Sequence, residues 1–254
     1  MSFARASIGL IALAASVSAS IKTCSNNNTF SCQSSSKAGT CCYNYPGGAL
    51  LQTQFWDTDP VTGPTDSWTI HGLWPDNCDG TYESNCDSSR AYTNITDILK
   101  AQDRTDLLSY MDDYWVDIDG DNESFWEHEW GKHGTCINTI DVDCYSNYSP
   151  QEEVGDFFQK TVDLFKGLDT YKALSDAGIT PDESKTYTLS EIQAALSKLH
   201  GAEVYVSCSS GKLNQAWYFF NVQGNAITGK YQAVDTLTTA SCPSSGIKYV
   251  PKSS

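Results

Sequence analysis

Two short segments contain three of the four histidines in this sequence. FWEHEWGKHGTC, residues 125–136, places two histidines, two glutamates and a lysine among aromatic residues. SWTIHGLWPD, residues 67–76, has a β-type run that reaches His71 and continues into a glycine and a rigid Trp-Pro pair. Histidine titrates near neutral pH, a carboxylate can stabilise its cationic form, and lysine can stabilise developing negative charge. These residue types predict acid–base chemistry.

A metal site is the first alternative for residues 125–136. A zinc-protease helix uses H-E-x-x-H, in which the two histidines are four residues apart and share a helical face. Here His128 and His133 are five apart, which separates them by about 140° on a helix, whereas Glu129 and His133 are four apart. Lys132 would also place a positive charge beside the cation. We therefore predict that the protein uses no metal and no other cofactor.

Other functions are compatible with the same residues. Glu127 and Glu129 are candidates for the paired carboxylates of a glycosidase, but on a helix they diverge by about 200°. A glycosidase would release reducing sugar without any dependence on His71. The polar residues could also form a solvated helix turn, or belong to a disulfide-rich binding module or cytotoxin without catalysis.

The first nineteen residues have the pattern of a secretory signal peptide. Arg5 supplies the positive charge, residues 8–15 are apolar, and residues 17–19 offer the small side chains that a signal peptidase needs. The apolar run is shorter than the ~20 residues that span a bilayer, so no membrane anchor is expected. Residues 20–254 are then predicted to form one catalytic domain. The protein is expected to be secreted to the extracellular space, with a vacuole or other acidic compartment as an alternative location.

Cysteine usage agrees with export. All ten cysteines follow residue 19, and an even number in a secreted chain predicts five disulfides, although the sequence alone does not pair them. Four sequons also predict a glycosylated surface, at Asn27, Asn94, Asn122 and Asn147.

The charge of the chain limits its partners. The formal net charge is −15, and removal of residues 1–19 takes away Arg5 and no acidic residue. Such a surface repels polyanions at neutral pH, while protonation of carboxylates at low pH weakens that repulsion. A polyanionic substrate is therefore compatible with this chain in an acidic environment.

The hydrophobic pattern predicts an α+β fold, a single domain with a central, largely antiparallel sheet and several packed helices. Strand-like runs and helical runs occur in separate blocks instead of alternating. A capping box at Thr188 and Glu191 opens the last helix, which stops at Gly201. Strands are predicted at residues 49–56, 67–73, 203–208, 215–222 and 231–237, and helices at residues 94–101, 105–114, 151–165 and 188–199.

Taken together, SWTIHGLWPD and FWEHEWGKHGTC resemble the two active-site segments of the T2 family of secreted acid ribonucleases, and the cysteine pattern is most similar to that of fungal members. The resemblance implies cleavage of single-stranded RNA to 2′,3′-cyclic phosphates and then 3′-phosphates, without a metal, by a monomer that needs no protein partner. It makes His71 and His133 the acid–base pair and His128 a phosphate ligand. Glu129 and Lys132 would support the transition state.

The chemistry of the residues agrees with those roles. The ribose 2′-OH is a weak nucleophile that needs a base, the departing 5′-oxygen needs an acid, and the phosphorane needs a cation. We assign His133 as base and His71 as acid in the first step, with the roles exchanged in the second. His200 follows the last turn of a helix and is interpreted as structural.

The resemblance also implies base pockets and disulfides. Trp74, Asp76 and Tyr82 match a primary base pocket in which the aspartate favours adenine, and aromatic side chains of this kind stack on unpaired bases. Phe125 and Gln54 match a second base pocket. The implied disulfides are Cys24–Cys42, Cys32–Cys78, Cys41–Cys144, Cys86–Cys136 and Cys208–Cys242.

Overall fold

The computed structural model describes residues 20–25, 29–33 and 41–253, so the predicted signal peptide and Asn27 lie outside the described residues. The strands are β1 (Ser20–Ile21), β2 (Ala49–Phe55), β3 (Thr69–Asp76), β4 (Tyr145–Ser146), β5 (Tyr205–Ser209), β6 (Lys212–Gln223) and β7 (Lys230–Ala233). The helices are α1 (Ile95–Ala101), α2 (Thr105–Tyr114), α3 (Asn122–Lys132), α4 (Glu152–Gly167), α5 (Thr170–Asp176) and α6 (Leu189–His200).

The central sheet is antiparallel and follows the order β3-β2-β6-β5, while β7 pairs with the far end of β6. The short strands β1 and β4 form a separate pair. Each of the five predicted strands is present, with ends that differ by a few residues. This confirms the predicted α+β class.

Local signals account for most of the helices. The predicted capping box is present at Thr188 and Glu191, and Gly201 ends α6 with a φ of 92°, a left-handed conformation that suits glycine. The helix α4 buries the apolar stripe that the sequence shows at Val154, Phe157 and Val162. The ranges of α3 and α5 were not among the predicted helices.

The two faces of the sheet are covered unequally. The helices bury one face in the main hydrophobic core. The other face carries a small cluster of Ala49, Leu51, Tyr205 and Phe219, with the half-buried Trp74 and Trp217 packed against it. Trp74 therefore reaches the less covered face of the sheet.

Five disulfides are present, and they join the same cysteines as the resemblance implies. Cys86–Cys136 ties the segment after Tyr82 to the turn that follows α3. Of the described sequons, Asn94 and Asn147 are exposed, whereas Asn122 is half-buried and its side-chain oxygen accepts a hydrogen bond from the N–H of Asp117. Within the described ranges, none of the helices has the length and apolar character to cross a membrane.

Candidate active site

The two histidine-containing segments lie on neighbouring elements, β3 and α3. His71 is in the middle of β3, and His133 is the C-cap residue directly after α3. The start of α3 is set by Asp121, whose side chain accepts the N–H of Ser124 at 3.1 Å. The indole N–H of Trp126 donates to a backbone carbonyl at 2.8 Å, which fixes the buried face of the helix. His128, Glu129 and Lys132 follow on its last turns.

Glu129 links the helix to the strand. It is fully buried, and its Oε2 accepts a hydrogen bond from the indole N–H of Trp74 at 2.8 Å. Its Oε1 lies 3.6 Å from Nε2 of His71. The sequence predicted that this carboxylate shares a helical face with His133, whereas the structure also places it beside His71.

Aromatic rings position both histidines. Trp74 stacks on His133 with ring centroids 4.8 Å apart and meets His71 edge-on at 4.5 Å. The His71 ring also stacks on Phe55 with centroids 3.9 Å apart, and the centroid of Phe125 lies 5.9 Å away. One indole therefore contacts both predicted acid–base residues.

Each of these histidines is followed by a glycine that leaves no space for a side chain. A Cβ atom at Gly72 would lie 2.0 Å from Oε2 of Glu129 and 2.8 Å from Nε1 of Trp74. A Cβ atom at Gly134 would lie 2.4 Å from the ring of Trp130. Gly72 is needed because the site packs directly against the backbone of β3, and Gly134 because the buried Trp130 ring packs against the turn after α3.

Burial and mutual repulsion set the protonation of the cluster. Burial raises the pKa of Glu129 to about 8. Burial also lowers the pKa of His71 well below its ordinary value, with His133, His128 and Lys132 adding to the effect. The pKa of His133 falls to about 3 through burial and through the charges of Lys132 and His128. A bound anion would oppose this repulsion and raise the histidine pKa values.

Three buried polar atoms of the cluster have no hydrogen-bond partner among the described residues: Nδ1 of His71, Oε1 of Glu129 and Nε2 of His133. Buried polar groups are hydrogen-bonded in the great majority of cases, and exceptions often have a catalytic role. Their concentration at one place indicates a site that binds a polar ligand.

The side chains of α3 and its C-cap also allow a test of the metal alternative. Ligand atoms of His128, Glu129 and His133 lie within 4.8 Å of one another because His133 is at the end of the helix. However, one oxygen of Glu129 already accepts the Trp74 hydrogen bond, and its carboxyl pKa is raised to about 8. Lys132 also adds a positive charge beside the three groups. This donor set does not suit a divalent cation.

Two cavities lie beside the cluster. We call one the tryptophan cavity; it has a volume of about 290 Å³ and contains Trp74, Asp76, Tyr82, Lys132 and His133 among its lining residues. The other, which we call the large cavity, has a volume of about 500 Å³ and is lined in part by Phe55, His71 and Phe125. The two predicted acid–base histidines thus face different cavities.

The position of Gln54 does not match the sequence prediction. Its side chain is fully buried on the helix-covered side of the sheet, where its amide donates to the carbonyl oxygen of Leu168 at 3.0 Å. Strand pairing skips His71 at a bulge between Thr53 and Gln54, and Phe55 is the residue that contacts His71. No local sequence signal identifies Phe55, or Trp217 in the tryptophan cavity, as part of the site.

The burial of Glu129 predicts a change in pH-dependent stability. Below pH 4.5, Glu129 is protonated in both the folded and the unfolded states. As the pH rises towards 8, the unfolded state releases this proton first, so the wild type loses stability. The Glu129→Gln variant has no titratable group at this position. We expect the free energy of unfolding of the variant minus that of the wild type to increase by on the order of 3 kcal/mol as the pH rises from 4.5 to 8.

Urea denaturation at a series of pH values measures this difference, and parallel pH dependences of variant and wild type would contradict it. In the same variant, NMR titration is expected to show a lower apparent pKa for His71. In the wild type an imidazolium 3.6 Å away favours ionisation of Glu129 and is stabilised by the resulting carboxylate, whereas an amide cannot ionise.

The fold and the site define a class: an α+β domain with a cluster of histidines around one buried carboxyl group. The family model described as the ribonuclease T2 family matches residues 47–230. Ribonuclease T2 of Aspergillus oryzae is 63% identical over 249 residues, which cover 97% of this chain and 90% of the relative.

Solved structures agree with this match. The crystal structure of Actibind, described as a T2 ribonuclease, superposes with a TM-score of 0.91 at 62% identity, covering 92% of this chain and 100% of that one. RNase NT, solved in complex with 5′-AMP, gives a TM-score of 0.59 at 25% identity and covers 82% of this chain and 98% of its own. The chain belongs to the ribonuclease T2 family and is a T2-type endoribonuclease.

Proposed function

We propose that the protein is a secreted, metal-independent endoribonuclease that cleaves single-stranded RNA by attack of the ribose 2′-OH on the adjacent phosphate. The observation that supports this most strongly is the placement of His71 and His133, which contact the same Trp74 ring and line different cavities. A phosphodiester that bridges the two cavities would have one histidine near each of its nucleosides.

The placement of the histidines also supports a direction for the first step. His133 shares the tryptophan cavity with the residues predicted to hold the first base, so it is the group nearest the ribose whose 2′-OH attacks. His71 shares the large cavity with Phe125 of the second base pocket, on the side of the departing nucleoside. His133 therefore accepts the 2′-OH proton, and His71 protonates the departing 5′-oxygen.

The products of this step are a 2′,3′-cyclic phosphate and a new 5′-OH. In the slower second step the roles exchange. His71 removes a proton from water, which attacks the cyclic phosphate, and His133 returns a proton to the 2′-oxygen, leaving a 3′-phosphate.

Charge stabilisation comes from the end of α3. Lys132 is close enough to His71, His128 and His133 to lower their pKa values, so its ammonium group lies beside the position of the phosphate. His128 is exposed and binds the phosphate, while Lys132 stabilises the negative charge of the phosphorane. The anionic substrate in turn raises the pKa of His71, and Glu129 stabilises the imidazolium that donates the proton.

The test of this function is the time course of products from a single-stranded RNA, resolved by mass in the presence of EDTA. Cyclic phosphates that appear first and 3′-phosphates that follow are the expected result. Products with 5′-phosphates, or loss of activity with the chelator, would contradict it.

The tryptophan cavity supports a preference for adenine as the first base. Burial raises the pKa of Asp76 to about 7, so at acidic pH the carboxyl group can both donate and accept a hydrogen bond. Adenine offers an amino donor beside a ring nitrogen acceptor. That a structural neighbour, RNase NT, was solved with 5′-AMP is consistent with this preference.

A panel of dinucleoside monophosphates that differ in the first base measures the preference. We expect adenosine to be cleaved fastest, and Asp76→Ala to reduce the ratio of adenosine to uridine cleavage by about 10-fold, as for loss of one specific base contact. Equal rates for all four first bases would refute the assignment.

Secretion, glycosylation and a monomeric state complete the proposal. The signal-like residues 1–19, the disulfides and the exposed Asn94 and Asn147 support export. The high negative charge supports function at low pH, where repulsion of RNA is weaker.

A further inference from the structure

The tryptophan cavity has a wall that comes from the C-terminal part of the chain. Besides the segment after His71 and the end of α3, its lining includes Leu237 and Thr238 from the loop that follows β7. No motif of the sequence points to this loop.

Leu237 is unusual in its exposure. It is 39% exposed, and it is one of four large apolar side chains that are exposed in the described part of the chain. Another is Tyr82, which is 62% exposed and lines the same cavity. Exposed apolar side chains that gather at a cavity are typical of a ligand-binding surface. Two of the four, Leu237 and Tyr82, line the tryptophan cavity.

The loop is held in place firmly enough to form a binding wall. The N–H of Thr236 donates to the carbonyl oxygen of Glu203 at 3.0 Å, and the Cys208–Cys242 disulfide anchors the end of the loop to β5. The loop also packs closely against the turn before Tyr82, because a Cβ atom at Gly80 would lie 3.3 Å from the carbonyl oxygen of Leu237.

We infer that Leu237 closes the primary base pocket and packs against the base of the nucleotide whose 2′-OH attacks. This inference rests on the proposed function and adds a base-contacting residue to it. Because the leucine side chain has no hydrogen-bonding group, its contact strengthens binding of any base without selecting among bases. Selection is left to Asp76 in the same cavity.

The test compares two substrates, a dinucleoside monophosphate with adenosine first and the same molecule without the first base. Leu237→Ala is expected to lower kcat/KM for the complete substrate about 5- to 10-fold, mainly through KM, because a partly buried apolar contact is lost. It should leave kcat/KM for the substrate without the base unchanged. Leu237→Met, which keeps the apolar contact, should restore most of the difference.

Tyr45→Ala is the matched control. Tyr45 is also an exposed large apolar side chain, and it is not among the lining residues of either cavity, so this variant should not change the ratio between the two substrates. Equal effects of Leu237→Ala on both substrates, or no effect on either, would overturn the inference. If the wild type cleaves neither substrate, the proposed function on which the inference rests is overturned instead.

Discussion

Replacing His71 or His133 with alanine is expected to lower kcat by about 10²- to 10⁴-fold, the usual contribution of a general acid or base. The two imidazoles contact the same Trp74 ring and face different cavities, so neither can take over the role of the other. His71→Ala should be rescued in part by a substrate with a better leaving group, because such a substrate needs less help from an acid. His133→Ala should not be rescued in this way.

Three controls make this prediction specific. The wild type should show a bell-shaped dependence of kcat/KM on pH, because one histidine must be neutral while the other is protonated. His128→Ala should affect KM more than kcat, since His128 is assigned to phosphate binding. Circular dichroism and thermal unfolding of each variant establish that the fold is intact. Near-normal turnover by a folded His71 or His133 variant would refute the acid–base assignment.

A single 2′-deoxy nucleotide on the 5′ side of the cleavable phosphate is expected to abolish cleavage at that phosphate. The attacking group is the 2′-OH, and no side chain near His133 replaces it in the proposed reaction. An oligonucleotide with one cleavable ribonucleotide in a deoxy chain isolates this requirement, and its all-deoxy counterpart should not be cut. The measurement is the mass of the products at pH 5 and pH 7 in the presence of EDTA.

The outcomes of this experiment separate the competing mechanisms. A cyclic phosphate formed at the single ribonucleotide supports the internal transfer. Cleavage of the all-deoxy chain would mean that water or another external nucleophile attacks, and activity lost with EDTA would restore the metal alternative at His128, Glu129 and His133. The all-deoxy chain also acts as an inhibitor control, because it should still bind the base pockets.

Much of the fold was predictable because its signals are local. The capping box at Thr188, the glycine stop at Gly201 and the apolar stripe of α4 depend on residues within a few positions of each other. The sheet was predicted as a set of strands, and its order was not. Pairing of β2 with β6 joins residues more than 150 positions apart, and the residue pattern of each strand does not indicate which strand it pairs with.

The candidate site, like the fold, was predictable from the sequence only in part. The sequence by itself determined which groups could do the chemistry, because His71, His128, Glu129, Lys132 and His133 occupy two short segments whose residue types are suited to proton transfer. That inference needed only neighbours along the chain. The base-pocket residues Trp74, Asp76 and Tyr82 were implied by the resemblance of the two segments to the T2 family.

Only the tertiary structure decided how these groups are coupled. It placed Glu129 beside His71, buried Gln54 among the helices, stacked Phe55 on His71, and brought Leu237 to the tryptophan cavity. Each of these contacts joins different elements of the fold, and apart from Phe55 with His71 the elements lie far apart in sequence. The physical reason is that residue type and spacing specify the chemistry a side chain can perform, whereas burial, pKa and partner depend on which distant elements the fold packs around it.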